Sequence, residues 1–211
     1  MPTLDHFVFG ASKLAEGRAW MTDALGLPPV GAGAHAKMGT HNALWRVGSA
    51  YLEVIAVDPE APAPDHPLWF GLSDAGTQRR IIDTPKLLTW VVAVEDIAET
   101  RARSPIDPGE PMAFTRDDLN WQLTVPPSGL PPENGAFPAL IHWPAGVMSP
   151  AQSLPDQGLE IAAFAASGPR ALEDALEGIG ARALITSFRK SDAAALNLTV
   201  TSPETGTVHL A

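Results

Sequence analysis

The chain contains no cysteine. Disulfides, thiolate metal sites and cysteine nucleophiles are thereby excluded. Basic residues are scarce: 14 lysines and arginines stand against 24 aspartates and glutamates, for a formal net charge of −10. That balance speaks against a nucleic-acid partner, because phosphate binding needs clustered Lys and Arg. No apolar run approaches the ~20 residues of a membrane span. A strand pattern starts at Thr3 with no basic segment and apolar stretch before it, so no secretory signal is expected. The expectation is a soluble, cytoplasmic protein with no membrane partner. Also missing are a phosphate loop, a Rossmann glycine pattern, an HExxH zinc motif and a GxSxG nucleophile elbow. No nucleotide cofactor is expected.

What is present is a chain of 211 residues, 45% hydrophobic, long enough to bury a core. Its 21 prolines sit mostly between periodic segments and read as rigid connections. Leu4 to Phe9 reads as a strand, followed by a helix from Ser12 to about Leu25 that stops at Gly26. Pro28 to Lys37 is a poor strand or a loop. Two strands follow, separated by Gly48-Ser49. After the proline-rich linker Asp58 to Pro67 and a short helix within Leu68 to Ile82, the order returns. Leu87 to Val94 is a strand, Glu95-Asp96 open a helix, and strands follow at Met112 to Thr115, Leu119 to Val125 and Ala139 to Trp143. A third pass repeats the order: a strand at Leu159 to Ala166, a helix marked by Leu172, Ala175, Leu176 and Ile179, then three short strands. A strand-helix-three-strand unit thus appears three times.

The most informative residue is Glu53, a carboxylate inside the apolar run Tyr51 to Val57. Burying a lone charge costs several kcal/mol unless it is paired, protonated or metal-bound. Strand alternation puts Tyr51, Glu53 and Ile55 on one face, facing a cavity, and Leu52, Val54 and Ala56 on the other, facing a sheet–helix core. The bland alternative for Glu53 is a pair with Arg46. The same alternation groups Leu4, His6 and Val8 on one face of the first strand, with Asp5, Phe7 and Phe9 on the other. On that reading Asp5 cannot orient His6. His35, His41 and Asn42 flank or follow the Gly39 turn and are candidates to touch a ligand. Trp45, Trp90, Trp121 and Trp143 are candidates for an aromatic lining, with ordinary core as the alternative.

A repeated βαβββ unit with His6 in its first strand and Glu53 in its last resembles the vicinal-oxygen-chelate superfamily of glyoxalases, bleomycin-resistance proteins and dioxygenases. Within it, His35 followed by Gly39-Thr40-His41-Asn42-Ala43-Leu44 and then Tyr51-Leu52-Glu53 looks like the glyoxalase-like domain proteins. The resemblance implies an α+β fold in which βαβββ modules form curled mixed sheets around a cavity, with helices outside. Residues 1–150 would hold the paired modules, about 3–58 and 87–144. Residues 155–211 would be a third βαβββ-like unit that extends the sheet or meets a second copy as a homodimer.

The resemblance also implies a ligand set. Metal-using members carry ligands on the first and last strands of each module, which here match His6, Glu53 and His142. Trp90 falls at the fourth position, where it cannot ligate and would instead touch substrate. Two histidines and one carboxylate suit a divalent Fe, Mn or Zn ion. The implied function is lyase, isomerase or dioxygenase chemistry on an oxygenated small molecule, with Glu53 catalytic. The alternative is a metal-free protein of the same fold that binds a small molecule and does no chemistry.

Overall fold

A computed structural model describes residues 1–116 and 119–211. The first module runs β1 (Thr3–Gly10), α1 (Leu14–Leu25), β2 (Gly31–His35), β3 (Thr40–Val47) and β4 (Ala50–Val57). After α2 (Ala75–Ile81), the second runs β5 (Lys86–Ala93), α3 (Ile97–Ala102), β6 (Glu110–Arg116), β7 (Leu119–Val125) and β8 (Ala139–His142). One turn of helix, α4 (Pro150–Ser153), lies inside the loop expected between the second and third units. The last unit is β9 (Glu160–Gly168), α5 (Arg170–Gly178), β10 (Ser187–Lys190), β11 (Ala195–Ser202) and β12 (Gly206–Leu210).

Local chemistry sets several boundaries. The α1 helix stops at Gly26, whose φ of 69° suits a residue without a Cβ and lets its N–H reach Thr22 O. Asp96 caps α3 by accepting from Glu99 N. Ser12 does not cap α1. Lys13 occupies the cap position, and the Ser12 hydroxyl bonds Glu16 and Ile82 O.

The two modules share one eight-stranded sheet in the order β2-β3-β4-β1-β5-β8-β7-β6. In each module the last strand returns parallel to the first, β4 beside β1 and β8 beside β5. The modules join edge to edge through the antiparallel pair β1–β5. The sheet curls until its two ends meet, where Lys37 Nζ donates to Ala113 O at 3.0 Å. The architecture is the expected α+β fold, with helices outside and a mixed sheet around a cavity.

Of the two roles expected for residues 155–211, extension of the first sheet is not the one found. These residues form a separate four-stranded sheet, β10-β9-β11-β12, in which the first strand lies inside rather than beside the last. Element order along the chain repeats, but pairing does not, because order alone does not encode which edges meet. This second sheet packs on the outer face of the first. Phe164 meets Phe7 and Trp90 edge-on at centroid distances of 4.8 and 4.9 Å, in one core with Leu52, Val54, Met21 and Leu176. The inner face carries a second core that includes Val8, Ile55, Val91 and Ile141. No helix among the described residues is long and apolar enough to cross a membrane.

Candidate functional site in the curled sheet

The polar residues of the inner face begin at a defect in β1. Leu4 pairs with Val92 and His6 with Val91, so Asp5 is an extra residue with no partner across the ladder. Such a β-bulge breaks the strict alternation of faces. Leu4 packs against the outer core, while Asp5 and His6 both turn inward. The expectation that Asp5 cannot orient His6 is therefore overturned. His6 Nδ1 lies 2.6 Å from Asp5 Oδ1. The other oxygen, Oδ2, accepts from Trp143 Nε1 at 2.8 Å.

The parallel pairing of β1 with β4 sets His6 opposite Tyr51, and their rings stack at 4.4 Å and 15°. Burial holds the Tyr51 phenol well above its usual pKa, and the negative charges of Asp5 and Glu53 push the same way. Tyr51 is thus a neutral slab beneath the imidazole. Two residues along β4, Glu53 faces the same cavity. Its Oε2 lies 3.6 Å from His6 Nε2, and its Oε1 accepts from Asn42 Nδ2 at 2.6 Å. Arg46, the alternative partner, bonds the carbonyls of Gly48 and Leu154 instead.

Beyond Asn42 stands His35. Its Nε2 lies 3.4 Å from Asn42 Nδ2 and 3.5 Å from Arg116 Nη1. Both neighbours are donors, which makes Nε2 the acceptor. The ring proton sits on Nδ1, directed to Thr40 Oγ1 at 3.1 Å. Trp69 Nε1 donates to the same hydroxyl. Burial, with the charge of Arg116 adding to it, lowers the His35 pKa to about 3, so the ring is neutral at ordinary pH. Asn42 itself is buried, and its Oδ1 has no hydrogen-bond partner among the described residues.

These groups line a cavity of about 30 Å³, whose far wall is aromatic and aliphatic: Trp69, Phe70, Trp121, Leu123, Ile141 and Trp143. Of the residues singled out in the sequence, His6, His35, Asn42 and Glu53 meet here. His142, His41 and Trp90 do not. On β8 it is Ile141 that faces the cavity, so alternation turns His142 away, and its Nδ1 lies 3.1 Å from Val94 O. His41 lies on the opposite face of β3 from Asn42, with Nδ1 3.9 Å from Asp58 Oδ1. Trp90 is fully buried in the outer core and donates to Ala136 O. Trp45 is outer core as well, so of the four indoles considered for the lining only Trp121 and Trp143 reach it. Sequence reasoning missed Arg116 and the role of Asp5. A one-residue bulge has no signature in an alternating run of this length, and Arg116 is an ordinary strand-end cation until the sheet curls.

The family model described as a glyoxalase-like domain matches residues 4–184. The chain belongs to the glyoxalase-like domain family. Among solved structures, a hypothetical protein from Staphylococcus aureus aligns with this glyoxalase-like domain at a TM-score of 0.57 and 16% identity, covering 84% of this chain and 75% of that one. Methylmalonyl-CoA epimerase from Mycobacterium tuberculosis aligns at 0.43 and 17%, covering 66% and 85%. At 16% identity the likeness to the Staphylococcus aureus protein is one of fold. The search of curated proteins finds no match.

Members of the superfamily often use a divalent metal. The glyoxalase-like domain described here offers two candidate donors on one point, His6 Nε2 and Glu53 Oε2. On the last strand of the second module the side chain that faces the cavity is Ile141, which cannot ligate. Among the described residues no three of His, Asp and Glu gather in a metal-holding group. A three-ligand site with open positions, as catalytic metals require, does not fit these side chains.

Proposed function

We propose that this glyoxalase-like domain moves a proton on a small molecule bearing neighbouring oxygens, in isomerase or lyase chemistry, without help from a metal bound by His142. The carrying observation is the line of contacts Asp5–His6–Glu53, pinned at one end by Trp143 and at the other by Asn42. Asp5 fixes the imidazole so that Nε2 faces the cavity, the role a carboxylate plays behind a catalytic histidine. Asn42 fixes Glu53 so that its second oxygen faces the same point.

A carbonyl compound with an acidic C–H set between these atoms would lose the proton to Glu53 Oε2. The C–H electron pair forms the carbon–carbon double bond. The carbonyl pair moves to oxygen, which takes the Nε2 proton of a doubly protonated His6, the Nδ1 proton staying hydrogen-bonded to Asp5. Return of the Glu53 proton to the former carbonyl carbon, with the substrate's original hydroxyl giving its proton to His6 Nε2 as its O–H pair forms the new carbonyl, completes an isomerisation. The gap of 3.6 Å between Nε2 and Oε2 is longer than a hydrogen bond, as apo acid–base sites often are.

The test is hydrogen–deuterium exchange at carbon, followed by NMR, for a set of 2-hydroxy ketones and dicarbonyls in the presence of a chelator. Wild type exchanges, and Glu53→Gln loses about 10²-fold or more of the rate. A second reading is favoured by the apolar far wall: a metal-free protein that holds its ligand and does no chemistry. Binding without exchange in any of the compounds would establish it.

A further inference from the structure

Three observations around the cavity concern a ligand rather than a proton. The first is Arg116, the one cation among the described residues lining the cavity. Its Nη1 rests against the lone pair of neutral His35, which spends a single N–H and, among the described residues, leaves the rest of the guanidinium fork unspent.

The second is Gly33, on the neighbouring strand β2. A Cβ there would stand 2.2 Å from Arg116 Nη1 and 2.6 Å from Cζ. The missing side chain at position 33 is therefore the space through which Arg116 crosses the sheet seam. The third is Asn42 Oδ1, a buried acceptor without a donor among the described residues. Leaving such an atom unpaired costs about 1–3 kcal/mol, which a ligand's O–H would recover.

We propose that the cavity binds a small carboxylate that also carries a hydroxyl, Arg116 taking the carboxylate and Asn42 Oδ1 the hydroxyl. The inference rests on reading this cavity as a ligand site. Arg116 and Asn42 flank His35, so the two recognised groups lie a few bonds apart, as on a 2-hydroxy acid. A guanidinium gives the carboxylate paired, charge-assisted hydrogen bonds. Trp121 and Trp143 then face the ligand's apolar end.

The probes are lactate and mandelate, their methyl esters, and phenylacetate, titrated calorimetrically into the full chain. Each acid binds about 10- to 100-fold more tightly than its ester, and mandelate about 3- to 10-fold more tightly than phenylacetate, which lacks the hydroxyl. Arg116→Gln removes the preference for acid over ester. Gly33→Ala, which keeps the charge but displaces it, does the same. Equal binding of acids and esters, failure of every acid to bind, or an acid preference that survives both variants overturns the proposal. The readout is binding, which requires no proton transfer. Arg116-dependent binding without proton exchange removes the catalytic reading and keeps this one. Exchange on neutral compounds that is indifferent to Arg116→Gln does the reverse.

Discussion

His6 Nδ1 lies 2.6 Å from Asp5 Oδ1 although the two residues are consecutive in one strand. The bulge that brings them together also fixes which ring nitrogen faces Glu53. Asp5→Asn keeps the shape but removes the carboxylate that accepts the Nδ1 proton and balances the charge of a doubly protonated ring. The expected outcome is a fall of about 10²- to 10⁴-fold in carbon-proton exchange, with the circular dichroism spectrum unchanged. A downfield Nδ1–H resonance, present in the wild type, should vanish in the variant. Exchange at the wild-type rate would remove Asp5 from the mechanism.

His35 predicts a pH dependence of stability. Its folded pKa of about 3 lies below the usual histidine value of 6.5. Between those limits the unfolded chain binds a proton that the folded chain refuses. The stability contributed is full above about pH 6.5 and drains away as pH falls toward 3, with a slope of up to about 1.4 kcal/mol per pH unit. Urea midpoints measured across that window should fall with pH in the wild type. In His35→Gln, which cannot take up the proton, this component of the slope should be gone.

His142 serves as the control. Its ring is half-buried and bonded to Val94 O, away from the cavity. His142→Ala should cost no more than about 0.5–1.5 kcal/mol. Ligand titrations should match the wild type, and so should metal titrations. A loss of metal uptake in this variant alone would restore the ligand set implied by family resemblance.

The C-terminal sheet belongs to the same core as the curled sheet, joined where Phe164 meets Phe7 and Trp90. Phe164→Ala should lower stability by about 3–5 kcal/mol and keep a single cooperative unfolding transition. Two separated transitions in the wild type would contradict a shared core.

Much of this molecule is legible in the sequence because alternation and helical spacing report burial directly. The faces of β4 follow from Tyr51 to Ala56 alone, and Glu53 stands out there as a carboxylate that needs partners. Three things were not legible, each for a physical reason. The bulge at Asp5 shifts alternation by one residue, and only the ladder of β1 against β5 reveals it. The orientation of His142 depends on Ile141 having taken the inward position in a strand of four residues. The pairing of β9 between β10 and β11 is a long-range choice of edges, which the recurring order of elements does not carry.

The bulge has a consequence for how such a site is inherited. Excision of the Asp5 codon would leave Leu4 opposite Val92 and His6 opposite Val91, the partners they already have. The ladder would become regular from Thr3 to Val8, and both cores would keep their residues. His6 would still face Glu53, but without the carboxylate behind it. A single in-frame codon therefore separates a scaffold whose histidine is aimed by a carboxylate from one whose histidine is not, with the partners of Leu4 and His6 the same in both.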